Sequence, residues 1–284
     1  MRKTFAILLD AYLRFAADDG WAISSHIALT TLMSLFPFLI FVTALAGFFG
    51  SQGLSDEVAK LIFAAWPPIV ANPIAGEVHN VLTAPRGGLL TIGAILALYF
   101  SSGAIEALRI GLNRAYETSE MRPWWLLRLE SIAYVLIGAI SLLALAFFIV
   151  LWPLMWAGLL SLAPALAPIE GLVRTVRLAV VSVLIAVSLL IAHRWLPTER
   201  LTLVEIAPGV ALTFVCCVAF SEAFGAYLGQ FARNYVSTYA GLASVMIALV
   251  FLYAIAALFV FGGDLNAAIM RARAKARGAP GLRD

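Results

Sequence analysis

Six long apolar stretches divide this sequence, and they decide what it can fold into. Each is long enough to cross about 30 Å of hydrocarbon, which takes about 20 helical residues. The predicted spans are residues 26–50, 88–110, 131–160, 175–195, 203–229 and 241–267. The expected fold is therefore all-α: a polytopic membrane protein whose six transmembrane helices form a bundle, in one integral membrane domain over residues 1–284.

The composition excludes a water-soluble fold. Apolar residues make up 63% of the chain and charged residues only 12%, whereas soluble domains are roughly 25% charged. The adjacent Cys216 and Cys217 lie inside an apolar run, where cysteine usually packs as a small hydrophobic residue. The chain is therefore expected to have lipid as its main solvent.

Basic residues are distributed unevenly between the loops. Of the 19 Lys and Arg residues, 14 lie on the face that carries both termini, and five lie on the other face. Lys and Arg accumulate in cytoplasmic loops. The sequence therefore predicts cytoplasmic N- and C-termini, which requires an even number of spans.

Shorter helices are expected outside the spans. Residues 4–17 have the pattern of an amphipathic helix that lies at the membrane interface. The outer loop 51–86 contains two further amphipathic segments, 55–63 and 74–82, which are too short to cross a membrane. The third predicted span is long enough either to tilt or to bend at Pro153, where a backbone donor is lost.

A polar face runs along the first span. His26, Thr30 and Ser34 recur every four residues, and Pro37 is expected to kink the same helix. Such a face forms either a contact between helices or the wall of a substrate path. Both interpretations remain open from the sequence.

Charged and amide side chains mark the inner ends of spans two and six. Glu106 and Arg109 are three residues apart, which predicts an ion pair within the helix. One interpretation is a salt bridge that fixes the depth of the helix. The other is a basic inner vestibule for an anionic head group, whose predicted members are Glu106, Arg109, Asn113, Arg114, Asp264 and Asn266.

Glu222 is the most informative residue of the fifth span. It lies in an otherwise apolar segment, and ionisable residues there usually serve a pathway or bond to another helix. Ser221, Gly225 and Gly229 form a stripe of small residues that permits close approach of another helix, within the chain or in a homo-oligomer. Tyr227 is included in the predicted path with Glu222 and the polar face of span one.

Several functional classes lack their motifs. The sequence contains neither a GxSxG nucleophile motif nor a GxxxxGK[ST] nucleotide-binding loop. The three histidines lie far apart and form no metal-ligand spacing. We expect no cofactor, no metal, no catalytic residues and no nucleic-acid partner.

Three sequence runs resemble the YihY/BrkB family of bacterial inner-membrane proteins, and the resemblance covers nearly the whole chain. They are IALTTLMSLFPFLIF, YFSSGAIEALRIGLNRAYETSEMRP and the segment from IAPGV to FGGDLNAAI. The SLFP pattern of the family falls on residues 34–37, and its ALNRAYE-like pattern falls on residues 111–117. Its usual Gly-Ala-Glu-Leu-Asn ending is Gly-Gly-Asp-Leu-Asn here, with Asp264 as the acid.

The resemblance implies a six-span inner-membrane protein with both termini inside. The family looks like a set of transporters or lipid-handling proteins, and it also carries an older ribonuclease label that these residues do not support. The sequence thus favours transport of an amphiphilic or anionic substrate, a lipid among the candidates, with membrane lipids as partners. The alternative is a scaffold for envelope assembly that transports nothing.

Overall fold

The computed structural model of the chain describes residues 2–49, 89–239 and 242–276, and all their regular elements are helices. The α-helices are α1 Arg2–Ala17, α2 Gly20–Phe49, α3 Leu89–Ala115, α4 Trp124–Ala146, α5 Trp152–Leu162, α6 Glu170–Trp195, α7 Leu203–Tyr239 and α8 Leu242–Ala276. The all-α class is therefore confirmed.

Five helical segments are long and apolar enough to cross a membrane. They are Ile95–Ala115, Trp124–Leu162, Pro164–Trp195, Leu203–Gly229 and Val245–Ala276. These correspond to the second to sixth predicted spans. The first predicted span lies largely in α2, which continues through Pro37. Because α2 is not among the five segments, the count of six stays a prediction. The outer loop 51–86, with its two expected short helices, lies outside the described residues.

The third span is irregular near Pro153. A π-helical turn, Phe147–Leu151, connects α4 to α5, and a 3₁₀ helix, Pro164–Ile169, leads from α5 to α6. A proline clashes with the carbonyl four residues before it, and a π turn is one way in which a helix accommodates such a defect. The irregularity thus falls next to the proline that was expected to bend this helix.

The chain forms two compact units. The first contains Met1–Ser34, Ser102–Ser131 and Leu189–Asp284, and the second contains Leu35–Ser101 and Ile132–Ser188. In the second unit, the rings of Phe147, Phe148 and Trp152 pack together beside the π turn, with centroids 5.3–6.2 Å apart. The residues of the candidate site described below belong to the first unit.

The N-terminal helix packs through one face and exposes the other. Ala11 is fully buried against Leu265 and Ala268 of α8. On the opposite side, an apolar row is exposed, comprising Phe5, Leu8, Leu9, Tyr12 and Leu13. This pattern confirms the expected amphipathic helix, which begins at Arg2 rather than at residue 4.

Helices α7 and α8 approach each other most closely at two glycines. A Cβ atom on Gly209 would collide with the backbone oxygen of Gly262, and one on Gly262 would collide with Oγ1 of Thr213. At Gly225 and Gly229, by contrast, an added Cβ would meet no atom within 4 Å. The two glycines that the sequence analysis placed in the small-residue stripe therefore have no close neighbour among the described residues, whereas Gly209 forms a tight contact.

This difference gives a matched pair of substitutions. Gly209→Ala is expected to cost about 1–3 kcal/mol of stability, because the added methyl group must displace backbone. Gly225→Ala adds the same methyl group in open space and is expected to gain about 0.5–1 kcal/mol, because glycine is a poor helix former. Thermal unfolding of the detergent-solubilised variants measures both. Equal effects of the two substitutions would contradict the close crossing.

Candidate functional site

Most of the residues predicted for the inner vestibule meet at one end of the first unit. At this end α3 and α6 finish, α4 and α7 begin, and residues 262–271 of α8 pack. We call it the loop end. Arg109, Asn113, Asp264 and Asn266 are all buried there, so they belong to the packed interior. Arg114 is exposed.

Asn113 connects the end of α3 to the segment between α6 and α7. Its Oδ1 accepts hydrogen bonds from the backbone N–H of Thr198 at 2.9 Å and from the hydroxyl of Thr118 at 3.2 Å. Its Nδ2 donates to Oε2 of Glu120 at 3.2 Å. A buried amide is stable only when its donors and acceptors are satisfied, and Asn113 achieves this with groups from two loops.

Glu106 and Arg109 form their polar contacts across helices rather than with each other. Oε1 of Glu106 lies 3.2 Å from Nε of Arg128 in α4. Nη1 of Arg109 donates to the hydroxyl of Ser131 at 3.1 Å and to the carbonyl of Leu127 at 3.2 Å. The ion pair predicted within α3 is thus replaced by contacts to α4, which lies alongside α3 and supplies complementary groups.

Carboxylates balance the positive charges of Arg109 and Arg122 at the loop end. Arg122 contacts both Glu120 and Glu130 at 2.8 Å, and Arg109 lies 3.9 Å from Glu120. The hydrogen bond from the Arg122 side chain lowers the pKa of Glu120 to about 2. These arginines therefore hold α3, α4 and their connecting loop together and already have anionic partners.

Asn266 connects three helices. Its Oδ1 accepts a hydrogen bond from the backbone N–H of Gly209 in α7 at 2.6 Å. Its Nδ2 donates to the hydroxyl of Tyr116, just beyond α3, at 3.1 Å. Burial raises the pKa of Tyr116, so its hydroxyl remains a neutral acceptor. Asn266 is fully buried, and its contacts account for an amide inside this span.

Glu117 is a member of the loop end that sequence reasoning missed. It follows α3 with φ of 57°, in a left-handed position that helix ends usually give to glycine. Its Oε1 accepts from Nη1 of Arg14 at 2.6 Å and from Nη1 of Arg271 at 2.8 Å. Nη2 of Arg271 also binds Asp10 at 2.9 Å. We call Asp10, Arg14, Glu117 and Arg271 the ionic latch.

The polar face of α2 is divided between packing and exposure. A Cβ on Gly103 of α3 would lie 3.6 Å from Cγ2 of Thr30 and 3.7 Å from Oγ of Ser34. These two side chains therefore pack beside the α3 backbone, which favours the helix-contact interpretation for them. His26 is exposed.

The other predicted path residues, Glu222 and Tyr227, lie in the C-terminal half of α7. Glu222 and Tyr227 are both exposed, as are Ser221 and Gly225. The exposed carboxylate of Glu222 thus lies near Gly225 and Gly229, where no side chain covers the helix backbone. Two half-buried neighbours, Phe220 and Phe224, pack on Phe251 of α8 with centroids 6.0 and 5.6 Å apart. These rings tie α7 to α8.

His193 is fully buried in α6. Its Nδ1 lies 3.0 Å from the carbonyl oxygen of Leu189, and its ring packs on Phe259 of α8 with centroids 4.6 Å apart. Across the part of the chain that the structure describes, no group of three or more His, Cys, Asp or Glu residues is placed to hold a metal ion. His193 therefore contributes to a contact between α6 and α8.

Two substitutions of Glu117 separate the effect of its charge from the effect of its strained left-handed backbone. Glu117→Gln retains the left-handed backbone but loses two ion pairs, and we expect it to lose about 1 kcal/mol. Glu117→Gly also relieves about 1–2 kcal/mol of strain, so its stability should stay near that of wild type. Thermal unfolding at low and high salt measures the stability of both variants. Salt should weaken the latch ion pairs of wild type, whereas the two Glu117 variants, which lack these pairs, should depend less on salt.

Asp19 provides the control, because it has the same φ of 57° and no ion pair with a described residue. Asp19→Gly should therefore only gain stability. A gain of equal size in Glu117→Gly would contradict a stabilising role for the latch.

The lowered pKa of Glu120 predicts an acid-dependent loss of stability. The ionised carboxylate stabilises the folded state fully above pH about 4.5, and this contribution disappears as the pH falls towards about 2. Glu120→Gln should remove that part of the pH dependence. Unfolding temperatures measured between neutral and acidic pH provide the test. The exposed Glu199→Gln is the control, and an acid profile unchanged by Glu120→Gln would contradict the prediction.

Comparison with known proteins places the chain in a family. Over 266 residues it is 28% identical to YfkH of Bacillus subtilis (strain 168), which is named as a putative ribonuclease-like protein; the match covers 92% of this chain and 94% of YfkH. It is 23% identical over 276 residues to a UPF0761 membrane protein of Rhodospirillum centenum (strain ATCC 51521 / SW). That match covers 94% of this chain and 58% of the relative.

No solved structure matches the chain. The family model described as Virulence factor BrkB matches residues 11–283. That range includes every residue of the ionic latch except Asp10, both asparagine junctions and Glu222. The long apolar helices and this match lead to one conclusion: the chain belongs to the virulence factor BrkB family of membrane proteins.

Proposed function

We propose that this protein is a transport protein of the bacterial cytoplasmic membrane that moves an amphiphilic or anionic substrate, a lipid in the first instance. One observation carries the proposal: the carboxylate of Glu222 is exposed within the apolar segment Leu203–Gly229. An ionisable group at that depth is expensive unless a polar partner meets it. A lipid head group that passes along α7 is such a partner.

The surroundings of Glu222 support a path for a head group. Gly225 and Gly229 lie about one and two turns further along α7, and space is open beside both. Ser221 and Tyr227 add hydroxyl groups on the same stretch. Small and polar residues on a lipid-facing helix provide a shallow polar track without a closed pore.

The loop end supports the orientation that we propose. The predicted spans assign 14 of the 19 basic residues to the same side as both termini, and basic residues favour the cytoplasmic side. Exposed tryptophans also lie here, at the start of α2 and α4 and at the end of α6, as expected at a membrane interface. The loop end therefore faces the cytoplasm in this proposal.

A scaffold for envelope assembly is the second candidate. The open faces of Gly225 and Gly229 also fit a helix of another protein or of a second copy, because small residues permit close helix contacts. In that case Glu222 would bond to the neighbouring helix. The two functions differ in whether lipid moves.

A lipid translocation assay tests the first function. Purified protein is placed in liposomes that contain a head-group-labelled anionic lipid, and an impermeant quencher reports label that reaches the outer leaflet. Wild type should expose inner-leaflet label faster than empty liposomes. Glu222→Gln should slow this exchange about tenfold or more, the effect of about 1.4 kcal/mol on a barrier. Glu199→Gln, an exposed acid outside the spans, should not.

A second pair of variants tests the open face. Gly225→Leu places a large side chain over the track and should slow exchange. Gly138→Leu in α4 adds the same side chain at another glycine with no atom within 4 Å, and it should not. Wild type that is no faster than empty liposomes would contradict lipid transport. Disulfide cross-linking of a cysteine at position 225 between copies, in a Cys216→Ala, Cys217→Ala background, would then support the scaffold.

A further inference from the structure

The carboxyl group of Asp264 is buried, and one of its oxygens lacks a partner among the described residues. Asp264 is 2% exposed, and its Oδ2 forms no hydrogen bond with any of them. Asp264 also forms no salt bridge within the described part of the chain. Buried carboxylates are normally paired or hydrogen-bonded. Asp264 differs in this from Glu106, Glu117, Glu120 and Glu130, which all contact arginines.

The charges around Asp264 balance one another without it. Asp18 in the turn before α2 and Glu117 after α3 act on it as like charges, and Arg14 in α1 and Arg271 in α8 oppose them. Both arginines already bind Glu117 in the ionic latch. Tyr116, the remaining titratable neighbour, is neutral. Ionised Asp264 would therefore add a buried negative charge that no cation of the latch is free to balance.

The donor groups of the described residues favour a proton over a metal ion as the missing positive charge. A metal ion that binds carboxylates requires several oxygen ligands. Among the described residues, no group of three or more His, Cys, Asp or Glu residues is placed to hold one. A proton requires only Oδ2.

We propose that Asp264 is a proton-binding site: it is a neutral acid while the ionic latch is closed, and it ionises when Arg271 is released. Asp264 and Arg271 are seven residues apart, two turns along one face of α8. Asp10 and Glu117 hold Arg271 in the latch. On release, the O–H bond of Asp264 breaks, water takes the proton, and Arg271 balances the carboxylate. A proton and Arg271 are thus alternative counter-charges.

A proton-binding site at Asp264 would give the transport protein a group on which a proton gradient can act. This coupling rests on the proposed function. The protonation itself does not depend on transport. It is therefore measured directly, and a failure of the lipid assay leaves its result unaffected.

Infrared spectroscopy of the full-length protein at neutral pH tests the protonation. A protonated carboxyl group has a C=O stretching band that an ionised carboxylate lacks. Wild type should show this band, Asp264→Asn should lose it, and Asp19→Asn, an exposed acid nearby, should retain it. Absence of the band in wild type, or its persistence in Asp264→Asn, would overturn the proposal. Where Asp264→Asn fails to fold, wild type labelled with ¹³C-aspartate must show the isotope shift of the band.

Release of the latch tests the exchange with Arg271. The double variant Asp10→Asn, Glu117→Gln keeps Asp264 but removes the carboxylate partners of both Arg271 and Arg14, so the band should disappear. Adding Arg271→Gln to the double variant should restore the band, whereas adding Arg14→Gln should not. A band that is unchanged in the double variant would overturn the exchange between proton and arginine.

Discussion

Asn266 forms the interaction on which the loop end depends. Helices α7 and α8 cross so closely at Gly209 and Gly262 that no side chain fits between their backbones. The Asn266 amide binds the Gly209 N–H on one side and the Tyr116 hydroxyl on the other. Because an unsatisfied polar group costs several kcal/mol in a membrane, these bonds set the positions of α3, α7 and α8 together. Once they are set, Glu117 can reach Arg271.

Four arginines of the loop end are already paired with carboxylates of the same chain. Each of these arginines contacts a carboxylate; they are Arg109, Arg122, Arg128 and Arg271. The loop end is therefore held together by ion pairs between its own residues, in contrast to the basic vestibule that the sequence suggested. The exposed carboxylate of Glu222 lies elsewhere, on the α7 stretch beside Gly225. For this reason the proposed substrate track follows the exposed side of α7, and Asp264 is proposed as a proton site inside the loop end.

Sequence reasoning found the polar residues but misjudged some of their partners. Asn113, Asp264 and Asn266 stood out because polar groups are rare in apolar helices, and all are buried at the loop end. The spacing of Glu106 and Arg109 suggested a pair within α3, since a periodicity argument considers only one helix. Glu117 was missed because an acid after a helix resembles a solvated end. Its left-handed backbone and its two arginines become visible only in three dimensions.

An all-helical membrane protein follows from the amino-acid sequence alone, because span length and apolar content are properties of each segment. The basic loops and the disturbance of a helix near Pro153 are local properties as well. That Gly209 packs tightly while Gly225 does not, and that Asp264 has no counter-charge of its own among the described residues, can be seen only in the folded chain. Those outcomes depend on which helices become neighbours, and neighbours are chosen by packing and hydrogen bonds between segments far apart in sequence.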